Sequence, residues 1–243
     1  MRIKTLVNYL IKKNEIDLKN NPDNPYAIFS TGNILEIMGK HDEAIKFYDK
    51  CLKINPDMKE AHFKIGYNKY RMGKHREASL HFDNAIKISD FYIDAWYFKG
   101  LNNVVIEKYE KAIECFDKVI EIDPFYKSAW NDKGVVLVIL KKPEESLKCF
   151  DFILSQDPYN RDALYQKGLA LEDMGLENEA QKYFELAGIN PYEEYETNEE
   201  SSIELKLTNL AGEEVPTNNE KDTIDDEKDL DSKLDDLTKY LSN

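Results

Sequence analysis

The chain has 243 residues, 42% of them apolar, and its 47 acidic and 33 basic side chains give a net charge of −14. A chain of this length and composition can build a sizeable globular core. Its acidity argues against a nucleic-acid partner, because binding phosphates requires a basic surface. We also expect no membrane partner, because the sequence contains no run of 18 or more apolar residues.

The N-terminal segment 1–24 predicts one helix that caps the N-terminal end of the fold. Its apolar residues share one helical face: Ile3, Leu6, Val7, Leu10 and Ile11. Two lysines follow without a small-residue cleavage site, so we expect no secretory signal. The three cysteines include no C-x-x-C pair, which favours a reducing compartment and a cytoplasmic location over a disulfide framework.

The next segment, residues 25–192, repeats with a period of 34 residues. Glycine recurs at one position: Gly32, Gly66, Gly100, Gly134 and Gly168. An aromatic side chain stands at one fixed offset after each glycine: Tyr48, Phe82, Phe116, Phe150 and Phe184. A small side chain stands between them at another fixed offset: Ala44, Ala78, Ala112, Ser146 and Ala180. These columns predict five structural units: 25–58, 59–92, 93–126, 127–160 and 161–192.

Each unit contains two apolar patterns of helical spacing separated by a short turn, which is Gly39-Lys40 in the first copy. Two antiparallel helices per unit are therefore predicted. Glycine where the two helices cross lets their backbones approach closely, and the aromatic residue of the second helix then fills the remaining space. Because one helix pair cannot bury its apolar stripe alone, the stack of pairs forms the domain.

The pattern resembles the tetratricopeptide repeat, which has characteristic tryptophan and proline positions in addition to these columns. The leading aromatic is present as Trp96 and Trp130, and the closing proline as Pro56, Pro124 and Pro158. The resemblance implies an all-α fold, an α-solenoid in which helix-turn-helix pairs form a right-handed superhelix. It also implies that the first helices line a concave groove where ligands bind.

Residues 193–243 depart from the repeat and hold 17 acidic and 5 basic residues. This composition predicts a largely disordered acidic tail. Within it, residues 224–241 form a possible amphipathic helix whose apolar stripe includes Leu230, Leu234, Leu237 and Leu241. Three roles stay open for the tail: a solvating segment, a segment that binds a partner, or a ligand for the chain's own groove.

The sequence shows no arrangement typical of catalysis or of a bound cofactor. Eight of the ten glycines lie at the helix crossings or in the turns, which leaves no phosphate-binding loop. The histidines belong to no zinc-binding motif, and Cys115 and Cys149 lie beside Phe116 and Phe150 as packing thiols would. We therefore expect no enzyme activity, no cofactor and no metal.

Residues of the first helices that lie off the packing columns are the candidate partner-binding groove. They form an apolar, aromatic set: Phe29, Asn33, Phe63, Lys64, Tyr67, Tyr70, Arg71, Tyr97, Phe98, Leu101, Val135 and Tyr165. Two interpretations compete. Either these side chains anchor an apolar helix or an extended segment, or some of them pack between neighbouring first helices.

The charges of the groove exclude one subclass of these repeat proteins. Members that bind the C-terminal carboxylate of chaperones use a lysine and an asparagine, then an asparagine, then a lysine and an arginine on successive first helices. Of these positions only Asn33 matches here, and starting one or two repeats later matches none.

The predicted function is a non-enzymatic scaffold or adaptor that binds a peptide or an amphipathic helix of a protein partner, with the chain's own tail as one candidate. The alternatives are a self-associating structural protein and a regulatory or targeting subunit that recruits an enzyme. Fold alone does not choose among them.

Overall fold

The computed structural model describes residues 2–189, with side chains from residue 10 onward. Eleven α-helices and no strand make up this part of the chain. In chain order they are α1 Arg2–Asn20, α2 Pro25–Ile37, α3 His41–Ile54, α4 Lys59–Arg71, α5 His75–Ile88, α6 Ile93–Val105, α7 Tyr109–Ile122, α8 Lys127–Ile139, α9 Pro143–Gln156, α10 Arg161–Asp173 and α11 Glu177–Leu186. The predicted all-α solenoid is confirmed. The predicted tail, with its leucine stripe, lies outside the described residues.

The chain divides into two compact units, with a boundary after residue 90. The first contains α1 and the helix pairs α2/α3 and α4/α5, and the second contains the pairs α6/α7, α8/α9 and α10/α11. The first helices of the five pairs begin at equal intervals, at Pro25, Lys59, Ile93, Lys127 and Arg161. In the first unit, α1 packs on α2 through the buried Ile11 and Leu18, and Asn14 donates a hydrogen bond to Thr31 Oγ1 at 3.3 Å.

The helices of each pair cross at the glycine column. A Cβ atom on Gly100 would lie 2.6 Å from Cε1 of Phe116, whose ring is completely buried. In every repeat the same Cβ would come within 2.8 Å of an aromatic ring carbon of the second helix. Glycine is therefore required for the close approach of the two helices, as the sequence predicts.

The turn within each pair needs a residue in the left-handed region. Three repeats place glycine there, at Gly39, Gly73 and Gly175, with φ between 71° and 75°. The other two use charged residues, Glu107 with φ 58° and Lys141 with φ 56°. In all five turns the next residue donates its backbone N–H to a carbonyl five positions earlier, which ends the first helix in a Schellman motif.

Candidate functional site

All twelve residues of the predicted groove lie on the first helices of their repeats. We call the surface of α2 and α4 the first-helix face of the first unit, and that of α6, α8 and α10 the first-helix face of the second unit. Seven of the twelve side chains are partly exposed: Phe29, Asn33, Lys64, Tyr67, Tyr97, Phe98 and Tyr165. Arg71 is exposed.

The remaining four are buried, so for these residues packing between helices describes the structure better than exposed anchoring. Phe63 and Tyr70 are each 8% exposed, because Phe63 packs against the ring of Phe82 and Tyr70 meets the His75 ring edge-on. Leu101 is 7% and Val135 is 3% exposed.

The first-helix face of the first unit is organised around the carboxylate of Glu36. Glu36 Oε1 accepts a hydrogen bond from Lys64 Nζ at 2.7 Å, and Oε2 accepts from Asn68 Nδ2 at 3.0 Å and from the Tyr48 hydroxyl at 2.9 Å. Asn68 Oδ1 in turn lies 2.6 Å from His41 Nδ1. This network joins α2, α3 and α4, and four of its five members lie outside the predicted set.

The phenol of Tyr48 explains part of this network. Tyr48 Oη lies 2.9 Å from Asn33 Oδ1 as well as from Glu36 Oε2, yet a hydroxyl has one hydrogen to donate. The charged Glu36 is the stronger acceptor, so the consistent arrangement turns the Asn33 amide and lets its NH₂ group donate to the phenol. Burial, and then the charge of Glu36, raises the pKa of Tyr48. The Asn33 side chain therefore forms its hydrogen bond within its own repeat.

The two predicted cations of this face also have partners. Lys64 forms the ion pair with Glu36, and its side chain is 28% exposed. Arg71 donates from Nη1 to the Tyr67 hydroxyl at 3.2 Å. The ion pair reduces the electrostatic attraction that Lys64 can offer an acidic ligand.

The first-helix face of the second unit combines aromatic rings with a buried carboxylate. Tyr97 on α6 donates its hydroxyl proton to Asp132 Oδ2 on α8 at 2.7 Å, and its ring lies 5.5 Å from Phe98 and 5.2 Å from Tyr126 between centroids. Asp132 is 6% exposed and also accepts from Asn131 Nδ2 at 3.2 Å. Burial, and then the charge of Asp132, raises the pKa of Tyr97.

Within residues 10–189, no hydrogen-bond donor reaches two buried side-chain oxygens on this face. They are Asn131 Oδ1 on α8 and Gln166 Oε1 on α10. In the sequence, Gln166 lies 35 residues after Asn131, which is also the sequence separation of the hydrogen-bonded pair Tyr97 and Asp132. Helix α8 contacts α10. The repeat register therefore places both acceptors along the same line of the face. An unsatisfied buried acceptor is costly unless a bound group donates to it.

The cysteines of the described part are packing thiols. Cys51, Cys115 and Cys149 are all buried, and none of the three forms a disulfide. Burial raises the pKa of Cys51 to about 12 and that of Cys149 to about 11, which opposes formation of the nucleophilic thiolate.

Among residues 10–189, no group of three or more histidine, cysteine or acidic side chains is arranged to hold a metal ion. Among the described helices, none has both the length and the apolarity required to span a membrane.

The fold and this face define a helical repeat protein with an aromatic surface on its first helices. Models of the tetratricopeptide repeat match residues 25–58, 93–126 and 162–187. The chain is a tetratricopeptide repeat protein. It is a protein–protein interaction scaffold. Tetratricopeptide repeat proteins are generally interaction modules rather than enzymes.

Solved structures show the same fold. A crystal structure of MamA protein is 26% identical, covers 67% of this chain and 89% of its own length, and has a TM-score of 0.64. A second MamA structure is 27% identical, covers 64% of this chain and 91% of its own, and has a TM-score of 0.61. YrrB, described as a TPR protein with an unusual peptide-binding site, is 21% identical over 72% of this chain and 90% of its own, with a TM-score of 0.64. No curated protein matches the sequence.

Proposed function

We propose that the chain is a non-enzymatic adaptor that binds an apolar peptide or an amphipathic helix on the first-helix face of the second unit. The observation that carries the proposal is the set of accessible apolar side chains on that face. Tyr97, Phe98 and Tyr165 are partly exposed, and Val105 at the end of α6 is 38% exposed. Rigid aromatic side chains lose little conformational entropy on binding and are frequent anchors at interfaces.

The polar groups of this face would fix the orientation of a bound segment. Asn131 Oδ1 and Gln166 Oε1 each offer a buried acceptor without a donor, and an N–H group of a bound segment satisfies such an acceptor. Asp132 adds a buried carboxylate beside them. A segment with apolar side chains and available backbone or side-chain donors therefore fits this face better than an acidic one. The peptide-binding site named for YrrB is a precedent on the same fold.

A peptide-display selection on the full chain tests the proposal. We expect the selection to enrich apolar segments, and we expect Phe98→Ala combined with Val105→Ala to abolish the enrichment. Leu101 is unsuitable for this test because its burial makes it part of the packing. The matched control is Phe125→Ala combined with Leu186→Ala, because both side chains are large, apolar and exposed, at 67% and 65%, yet lie off the first helices.

The control variant should retain the enrichment, and circular dichroism should show unchanged helix content in both variants. No enrichment on the unmodified chain, or an equal loss in the control variant, contradicts the proposal.

The tail, residues 193–243, is a second candidate occupant of this face. The spacing of its leucines is the sequence pattern of a helix that binds in a groove, and a flexible linker of about 30 residues would give it an effective concentration of order mM. Truncation after residue 192 should then increase peptide enrichment and the binding of a hydrophobic dye. Unchanged values identify the tail as a solvating or separately binding segment.

Self-association is the alternative function, and sedimentation over a concentration series distinguishes it from a monomeric adaptor. We place the adaptor in the cytoplasm, because three buried cysteines that form no disulfide suit a reducing compartment.

A further inference from the structure

Two histidines of the first unit face each other through the same ring atom. His62 lies on α4 and His81 on α5, and their Nδ1 atoms are 3.3 Å apart. Both rings are partly exposed, so solvent ions can reach them. Neither residue takes part in the network around Glu36 or in the proposed peptide-binding face.

The hydrogen bonds of His62 fix its tautomer. His62 Nε2 lies 3.2 Å from the carbonyl oxygen of Pro56, which can only accept, so Nε2 carries the proton. The fourth repeat shows the same contact with an unambiguous donor: Trp130, which occupies the place of His62 two repeats later, donates from Nε1 to Pro124 O at 2.8 Å. Neutral His62 therefore presents the lone pair of Nδ1 to His81.

The charges around the pair favour a cation. Asp49 on α3 acts electrostatically on both imidazoles. Its equivalents in two later repeats pair with lysines, Asp117 with Lys133 and Asp151 with Lys167, each at 2.5 Å. The second repeat has Ile65 at the place of those lysines, so the lysine of these two ion pairs has no counterpart for Asp49.

Other charges act on the two rings from the turn and from the neighbouring helices. Asp57 acts on His62, while Glu77 and Lys69 act on His81 and are paired with each other at 2.8 Å. Burial lowers the pKa of His62 and of His81, so both imidazoles are neutral at pH 7, the form that ligates metals.

We infer that His62 and His81 bind a divalent transition-metal ion such as Zn²⁺ through their two Nδ1 atoms. Two imidazole nitrogens at about 2.0–2.1 Å from a tetrahedral ion lie about 3.3 Å from each other, which is the separation in this structure. Without metal, His81 donates its Nδ1 proton to His62 Nδ1. Binding requires His81 to move this proton to Nε2, so His81 changes tautomer and the pair releases no proton. Asp49 adds negative charge, and water completes the coordination.

This is an open site for an exchangeable ion. Structural zinc sites have four protein ligands, whereas the described residues provide no cluster of three here. The predicted absence of a metal rested on missing zinc motifs, and a pair contributed by two separate helices has no motif in the sequence.

Zinc titration of the chelator-treated full chain, followed by calorimetry, tests the inference. Millimolar Mg²⁺ is included to occupy acidic side chains, which prefer hard cations. We expect one zinc ion per chain, and an affinity at least about tenfold weaker in His62→Trp and in His81→Phe. Both replacement residues occur naturally at the equivalent position of another repeat. Trp130 occupies the position of His62, and Phe47 occupies the position of His81.

The matched control is His75→Tyr, which copies Tyr109 of the next repeat and leaves both ligands in place. It should bind zinc like the unmodified chain. A zinc-induced change of the Nδ1 resonances of both rings supports the site. Zinc binding of equal strength in His62→Trp and His81→Phe overturns it, as does an unmodified chain that binds no zinc in the presence of Mg²⁺.

Discussion

Replacement of Gly100 by alanine should destabilise the protein, against the usual effect of this substitution in a helix. In the interior of an exposed helix, alanine is more favourable than glycine by about 1 kcal/mol. Here the new Cβ would lie 2.6 Å from Cε1, 2.9 Å from Cδ1 and 3.1 Å from Cζ of Phe116. The ring is completely buried, so it cannot move aside without displacing its neighbours.

The expected size follows from these two opposing effects. Inserting a methyl group into a well-packed core costs about 1–3 kcal/mol. Three contacts this short place Gly100→Ala in the upper part of that range, so the net loss of stability should be about 1–2 kcal/mol after the helix propensity is counted. In a Phe116→Leu background the ring atoms are gone, and Gly100→Ala should be neutral or stabilising by up to about 1 kcal/mol.

Urea unfolding followed by circular dichroism in the far ultraviolet measures these differences, provided that the variants share one m-value. Gly73→Ala is the control, because a Cβ atom added to Gly73 would have no other atom within 4 Å. Its loss of stability, about 1–2 kcal/mol, should therefore come entirely from the φ of +71°. That cost should not change in the Phe116→Leu background. A Gly100→Ala protein that is more stable than the unmodified chain refutes the steric argument.

Three further outcomes are expected. Glu107→Gly and Lys141→Gly should each stabilise the protein by about 0.5–1 kcal/mol in urea unfolding, because glycine adopts the left-handed conformation without strain. Tyr48→Phe should cost about 1–3 kcal/mol in the same assay, because two partly buried polar groups, one of them the charged Glu36, lose their hydrogen bond to the phenol. Cys51 and Cys149 should react with a thiol reagent at pH 8 much more slowly in the native protein than in denaturant, because burial raises both pKa values; equal rates would contradict their burial.

The parts of the fold that repeat could be predicted, and the parts that break the repeat could not. Glycine and aromatic columns predict where two helices of a pair cross, because the packing of that contact excludes other residue types. The left-handed turn residues Glu107 and Lys141 give no such signal, since charged residues are common in any turn. The fold itself imposes their conformation.

The candidate site was predictable at the level of helices and less so at the level of side chains. Periodicity identifies the first helices, but the burial of Leu101 and Val135 depends on three-dimensional packing, which periodicity does not specify. The ion pair of Lys64 with Glu36 depends on rotamers, which spacing does not encode. One signal was available for that network: Tyr48 is the only phenol in a column of phenylalanines, and a buried phenol needs a hydrogen-bond partner.

The crossing of each glycine with its aromatic ring also has a consequence for folding kinetics. The two residues are always close in the chain, as Gly100 and Phe116 are, so the contact that closes each helix pair requires only a short loop to form. Folds dominated by such local contacts have low contact order and reach the native state rapidly. Nucleation can then begin at any pair and spread to its neighbours. A chain lengthened by one more pair should therefore fold at nearly the same rate.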